Sequence, residues 1–467
     1  MSEHDGAGEG AHRRSDAPPE PAAGRSAGFS TRAIRAATRA PIVEQRPTSV
    51  PIYQTATFSA ELAAELGAVA TDRQPGYAYS RLDNPTVSAL AAAVAELEGA
   101  PAGFALASGM AAIHATLLSL LGAGDRIVAA QAIYGTTGSL LRTVFGKLGI
   151  DVAFVDATDL AAVEAALAAR PTQVLYVETI SNPTIVVVDL AALAELAHRH
   201  GATLVVDNTF ASPYLCRPLS VGSDLVIHSA TKYLSGHSDV LGGVVVGSRE
   251  RVRAVRAVQV DTGATLAPLA AFLILRGLPT LAIRMERHSA TALALARWLE
   301  GRPGVERVFY PALASHPQAT IARRELSLGG GMLAVELAGG RVAGEAFIDA
   351  LTVPERTASL GSVHTIVAHP PSTTHRQFDE AALAAAGIAP GLLRVSVGLE
   401  DLPDLEADFA SALAVAADAA DADAADAANA DAADAAMAAS PATSSGPATA
   451  ATTPGAAAAP AALGRAR

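Results

Sequence analysis

Between residues 84 and 230, short and almost solidly apolar runs alternate with stretches of helical period. GFALAS (103–108), DRIVAA (125–130), DVAFVD (151–156), QVLYVET (173–179), TLVVDNT (203–209) and DLVIHSA (224–230) are the runs. NPTVSALAAAVAELEG (84–99), GMAAIHATLLSLL (109–121), a segment near 135–148, DLAAVEAALAA (159–169) and DLAALAELAHRHG (189–201) lie between them. A strand with no polar alternation is covered on both faces, and parallel neighbours need crossover helices. The succession therefore predicts an α/β fold, a mostly parallel sheet between two layers of helices. Ligands in such sheets gather outside the carboxyl ends of the strands.

After about residue 265 the texture changes. A long helical region (267–300) precedes GVERVFYP (304–311), GGMLAVEL (330–337) and LLRVSVGL (392–399), separated by helical segments. This predicts a smaller α+β domain over 266–415, following a large domain over 76–265 and an N-terminal arm over 28–75. Residues 1–27 are polar and rich in Gly, Ala and Pro, and the Ala/Asp-rich tail 416–467 offers no apolar face beyond alanine. Neither can bury enough surface to offset ordering entropy, so both are expected to be disordered. The net charge of −12 owes much to that tail, where Asp418, Asp421, Asp423, Asp426, Asp431 and Asp434 recur. It argues against a nucleic-acid partner. The N-terminus lacks the basic start and apolar stretch of a signal peptide, and no uncharged apolar run is long enough to span a membrane. With Cys216 as the single cysteine, there is no internal disulfide and no cysteine-based metal cage, and a cytoplasmic protein without metal is expected.

The polar residues at the strand ends carry the chemistry. ASGM places Ser108, Gly109 and Met110 at a strand-to-helix turn, where free backbone N–H groups suit a phosphate. VVDNT ends in Asp207 and Thr209; HSATK ends in Ser229, Thr231 and Lys232. Each has a bland reading, as a turn, a helix cap and a solvated lysine. Together at one sheet edge they match what pyridoxal 5′-phosphate (PLP) requires: donors for a phosphate, an amine for an aldehyde and an anion for a pyridinium nitrogen. A free lysine has a pKa of about 10.4, so only about one in a thousand is neutral at pH 7.4. A Schiff base removes that handicap.

Eight ordered blocks extend the pattern: YSRLDNPT (79–86), ASGM, YGTT (134–137), ETISNPT (178–184), VVDNTFASPYL (205–215), HSATKYLSGHSD (228–239), SLGSVHTIVAHPPSTTH (359–375) and LLRVSVGLED (392–401). Through them, from about Ser30 to Ala412, the chain resembles the Cys/Met-metabolism, or transsulfuration, family of PLP-dependent enzymes of fold type I. The resemblance implies that Lys232 is the Schiff-base lysine and proton shuttle and that Asp207 pairs the pyridinium nitrogen. Gly109, Met110, Ser229 and Thr231 would hold the phosphate, with Ser108 and Thr209 beside them. Tyr134 would stack on the ring and serve as acid/base, Asn182 would sit near the ring oxygen, and Ser359 and Arg394 would take the substrate α-carboxylate. Tyr79 and Arg81 would reach the phosphate of a neighbouring subunit, which implies a homodimer, usually within a tetramer. His228, His237 and His375 are expected to be structural.

The expected reaction is γ-elimination from methionine, homocysteine or cystathionine, giving 2-oxobutanoate, ammonia and a thiol. The alternatives are γ-replacement on an O-acylhomoserine, β-elimination, or a non-catalytic PLP-binding module. Thr136 and Gln259 stand where the methionine-cleaving branch of the family carries a cysteine and a lysine. Ala358 stands where branches devoted to cystathionine often carry a glutamate.

Overall fold

The structure, a computed structural model, describes residues 27–38, 47–71, 73–373, 376 and 379–439. The expected disordered N-terminus therefore lies outside the described residues except for Ala27, as does His375. Among the described residues, those up to Ala420 form one compact unit.

Its larger sheet is built from β1 (Ala102–Leu106), β2 (Arg126–Ala130), β3 (Asp151–Val155), β4 (Val174–Glu178), β5 (Thr203–Asp207), β6 (Leu225–Ser229) and β7 (Gly243–Gly247). The order is β1-β7-β6-β5-β4-β2-β3. β2 to β6 pair in parallel, as the solid apolar runs require. β7 runs antiparallel to both β1 and β6. Its GVVVG core is fully buried, and a short apolar run does not reveal strand direction. Because β7 runs backwards between them, β1 and β6 point the same way and end level with one another. Leu106 and Ser229 both face Gly243 in register.

The connecting helices follow ordinary capping rules. Asn84 accepts the Thr86 N–H to start Pro85–Glu98, Ser108 accepts that of Ala111 to start Gly109–Leu120, and Asp159 and Asp189 cap Leu160–Ala169 and Leu190–Arg199. The helix expected near 135–148 is irregular. A short α-turn, Gly135–Ser139, widens into a π-helical turn over Leu140–Phe145 and closes with a 3₁₀ turn at Gly146–Leu148.

The second sheet contains β8 (Val305–Phe309), β9 (Met332–Leu337), β10 (Glu355–Arg356), β11 (Ile366–Ala368) and β12 (Leu392–Ser396), in the order β10-β11-β12-β9-β8. Its core joins Leu333, Val335, Val367, Leu393 and Val395 to Phe347 and Phe409 of the covering helices. The run Pro268–Leu299 is long and apolar enough to cross a membrane, but over half of its most apolar window is buried inside the protein. It reads as a core helix, interrupted by a 3₁₀ turn at Leu278–Thr280.

The tail departs from expectation. A helix runs from Leu402 to Ala439, so residues 416–439 are not disordered; 440–467 lie outside the described residues. The reason is intrinsic propensity. Alanine is the best helix former, and this stretch has no glycine or proline to break the backbone ladder. Leu405, Phe409, Ala412, Leu413 and Ala416 are buried, whereas residues 421–432 are exposed.

Candidate active site

A cavity of about 220 Å³ opens at the carboxyl ends of β1, β4, β5 and β6. Ser108, Gly109, Met110, Tyr134, Asn182, Asp207, Thr209, Ser229, Thr231, Lys232, Ser359 and Arg394 all line it. Tyr79 and Arg81 do not. Tyr79 is 44% exposed, and Arg81 stacks over its ring at 5.7 Å and donates to the Val260 carbonyl. A larger cavity, about 600 Å³ and lined in part by Asp83, Glu96 and Arg249, gathers no comparable set of groups.

The first N–H groups of a helix have no partner within it. Ser108 Oγ takes up Ala111 at 3.1 Å, and the neighbouring Gly109 and Met110 line the cavity. The turn after β6 lies against this one so closely that a Cβ on Gly109 would stand 2.6 Å from that of Ser229. A Cβ on Gly243 would overlap the Ser108 carbonyl. Thr209 ties the next strand end in: its N–H donates to Asp207 Oδ1 at 3.0 Å, and its Oγ1 accepts the Ser229 N–H at 2.8 Å. Thr231 Oγ1 accepts the Gly242 N–H at 3.1 Å. Beneath them, fully buried Glu98 meets His228 Nε2 at 2.6 Å and Asn208 Nδ2 at 2.9 Å. His237 Nδ1 lies 2.6 Å from the Ser235 carbonyl.

The charges are perturbed in ways that suit a polar ligand. Burial, and then the Arg394 charge, pull the Lys232 ammonium down to about 8. Its Nζ donates to Ser359 Oγ at 2.7 Å. Burial raises the Asp207 carboxyl, against the hydrogen bonds from Thr209 and the pull of His228. Arg394 arrives from β12 in the other sheet and is 5% exposed. Burial lowers its pKa to about 10. Its two terminal nitrogens donate to Asn182 Oδ1 at 3.0 Å and to the Ser359 carbonyl at 2.7 Å, while Nε is buried with no partner. Ser359 holds this position at φ 103°, a region that non-glycine residues seldom occupy.

Sequence reasoning missed Glu178, which ends β4 in the cavity wall, and the apolar wall of Ile113, Phe210, Leu241 and Leu360. ETISNPT flagged the segment. One partner of the carboxylate, however, is the Tyr134 N–H, 44 residues away in sequence, and no local signal announces it.

The set fits PLP. A helix N-terminus, the hydroxyls of Ser229 and Thr231, a lysine whose pKa burial lowers and a buried carboxylate line one cavity, and a buried guanidinium keeps one donor unused.

A family profile described as Cys/Met metabolism PLP-dependent enzyme matches residues 30–414. The chain is 47% identical over 369 residues to an L-methionine gamma-lyase of Pseudomonas putida, across 79% of this chain and 92% of that protein. It is 45% identical to an O-succinylhomoserine sulfhydrylase of Pseudomonas aeruginosa, across 83% and 96%. The solved cystathionine gamma synthase from Xanthomonas oryzae pv. oryzae, in complex with cystathionine, superposes with a TM-score of 0.80 at 37% identity, across 85% of this chain and 100% of that one.

Proposed function

The chain belongs to the Cys/Met metabolism family of PLP-dependent enzymes, and on that premise we propose that it releases a thiol from Cγ of methionine or homocysteine by elimination, giving 2-oxobutanoate and ammonia. The observation that carries this reading is the lining of the cavity. Besides Tyr134, its ionisable residues are Lys232, Arg394, Asp207 and Glu178; Ile113, Phe210, Leu241, Ala358 and Leu360 supply apolar wall. A small uncharged γ-substituent suits that wall. Cystathionine's distal ammonium would find alanine at 358, and a missing charge-assisted contact costs about 1.5–3 kcal/mol, or roughly ten- to a hundredfold in affinity.

Bound PLP supplies an aldehyde to capture the substrate amine and a ring to draw electrons from its Cα. Gly109, Met110, Ser229 and Thr231, with Ser108 and Thr209, would hold the phosphate, and Asp207 would hold the proton of the ring nitrogen. Lys232, with its depressed pKa, would be the covalent anchor and would then carry protons at the substrate's Cα and Cβ. Tyr134 would serve the departing sulfur as acid, and Asn182 would help to hold the cofactor. Arg394 and Ser359 grip the α-carboxylate; the guanidinium's planar fork suits two oxygens at once. Tyr79 and Arg81, outside their own cavity, serve the phosphate of a second copy of this chain, so the working unit is at least a dimer. The enzyme acts in the cytoplasm.

The second reading is γ-replacement on an O-acylhomoserine, supported by the near-equal identity to the sulfhydrylase and by Leu241, 65% exposed at the cavity rim, where an incoming thiol would enter. Measuring 2-oxobutanoate without added thiol separates the two. Negligible release from methionine, homocysteine and cystathionine, with rapid reaction of O-acylhomoserine and sulfide, would overturn the elimination reading.

A further inference from the structure

Glu178 has no part in the roles above, yet it is 6% exposed in the cavity wall and faces Asp207 in register across β4 and β5. Setting one buried carboxylate beside another is costly. Burial, and then Asp207, push the Glu178 carboxyl well above the usual carboxylate range. What the group does with its position is visible in its two oxygens, which serve different loops. Oε1 accepts the Tyr134 N–H at 2.7 Å, and Oε2 accepts the Asn182 N–H at 3.1 Å. The contacts continue past Asn182. Its Oδ1 accepts from Arg394 at 3.0 Å, Arg394 donates to the Ser359 carbonyl at 2.7 Å, and Ser359 Oγ accepts from Lys232 at 2.7 Å. One hydrogen-bonded line thus runs from the Tyr134 loop to the lysine, with Glu178 joining its two halves.

We propose that Glu178 is a positioning residue that sets the Tyr134 loop against the cofactor ring and, through Asn182, sets Arg394 against the substrate α-carboxylate. The inference rests on reading Arg394 as the carboxylate's partner. Two acceptor oxygens are the requirement. Glutamine has one, and its NH₂ would point a donor at a backbone N–H.

The experiment uses purified holoenzyme bearing Glu178→Gln, Asn182→Ala or both. The amino acid glycine serves as the probe, titrated against the cofactor's absorbance, and PLP affinity is measured by reconstitution. Glu178→Gln is expected to weaken glycine binding about tenfold, the size of one lost hydrogen bond, and to weaken PLP binding as well. In the Asn182→Ala background the glycine effect of Glu178→Gln should vanish while its PLP effect persists, because the line to Arg394 is already cut. Additive effects on glycine, or unchanged glycine affinity in Glu178→Gln, would overturn the proposal. Glu178→Asp, which keeps both acceptors on a shorter stem, should retain more glycine affinity than the glutamine variant. If neither variant folds, the carboxylate supports the fold rather than the site, and the proposal fails. An Arg394→Lys control separates the premise: if it leaves glycine affinity intact, the assignment of Arg394 is wrong whatever Glu178 does.

Discussion

The cavity and the segment from Thr55 to Leu82 are made on opposite terms. Around the cavity the strand ends are locked by side chain to backbone bonds. In the segment, the helix Ala63–Ala70 buries none of its residues, Leu62 is 61% exposed and Leu66 40%. Its ties to the rest of the chain include the Arg81 bond to the Val260 carbonyl and the Asn84 Nδ2 bond to Ser80 Oγ, beside an isolated bridge between Thr57 and Tyr79 within the segment. One region is shaped by the core beneath it. The other presents Leu62, Leu66 and Tyr79 outward, apolar surface of the kind that the proposed pairing with a second copy would cover. On the proposed reading, the chain prepares most of a binding site alone and leaves the outermost contacts, those of Tyr79 and Arg81, to a second copy.

The sharpest way to break this contrast is at its centre. Lys232→Ala should cut turnover by at least about a thousandfold and abolish borohydride fixation of the cofactor at that position. PLP should still be retained through the other contacts. Recovery of the label on another lysine would end the assignment. The outward region should respond differently. Arg81→Ala should weaken PLP binding by about tenfold while leaving the melting temperature of the cofactor-free protein unchanged. Mixed with Lys232→Ala subunits it should regain part of the activity, since one site of each hybrid dimer is then intact. A fully active isolated monomer would erase the distinction between the two regions.

A smaller effect sharpens the account of the inner region. Between about 8 and its ordinary value near 10.4, Lys232 binds fewer protons folded than unfolded, so stability rises with pH across that window. Lys232→Met removes the buried ammonium. Without cofactor it should exceed the parent's stability at pH 7 by at most about 3 kcal/mol. That margin should shrink as pH climbs from 8 to 10.5, as thermal melts at stepped pH would record; a margin that widens would contradict the burial argument. The smallest effect belongs to the tail. Truncation after Ala420 should leave activity unchanged, whereas truncation after Ala410 removes buried Ala412, Leu413 and Ala416 and should lower the melting temperature.

The contrast also explains what was legible in the sequence. ASGM, VVDNT and SATK announced themselves because each is a local event, a polar residue set at the end of an apolar run. β7 escaped because its direction is a property of its neighbours. Glu178 escaped because its meaning lies in two backbone N–H groups brought to it by the fold. The helix beyond residue 416 escaped because the absence of an apolar face was taken as absence of structure, when alanine propensity alone favours helix. YSRLDNPT was readable as a motif, but nothing local told where its side chains would be used.

Gly109 sets the turn after β1 against the end of β6, and Gly243, at the start of β7, packs against that same turn, so the spacing there is fixed by two hydrogen atoms standing where other residues carry carbon. For anyone recombining this chain with its relatives, that makes segments more than a hundred residues apart a single unit of inheritance. A chimera crossing over between residues 110 and 228 takes one half of the clasp from each parent. It will hold its shape only if both parents kept glycine at these positions, however well the rest of their sequences agree.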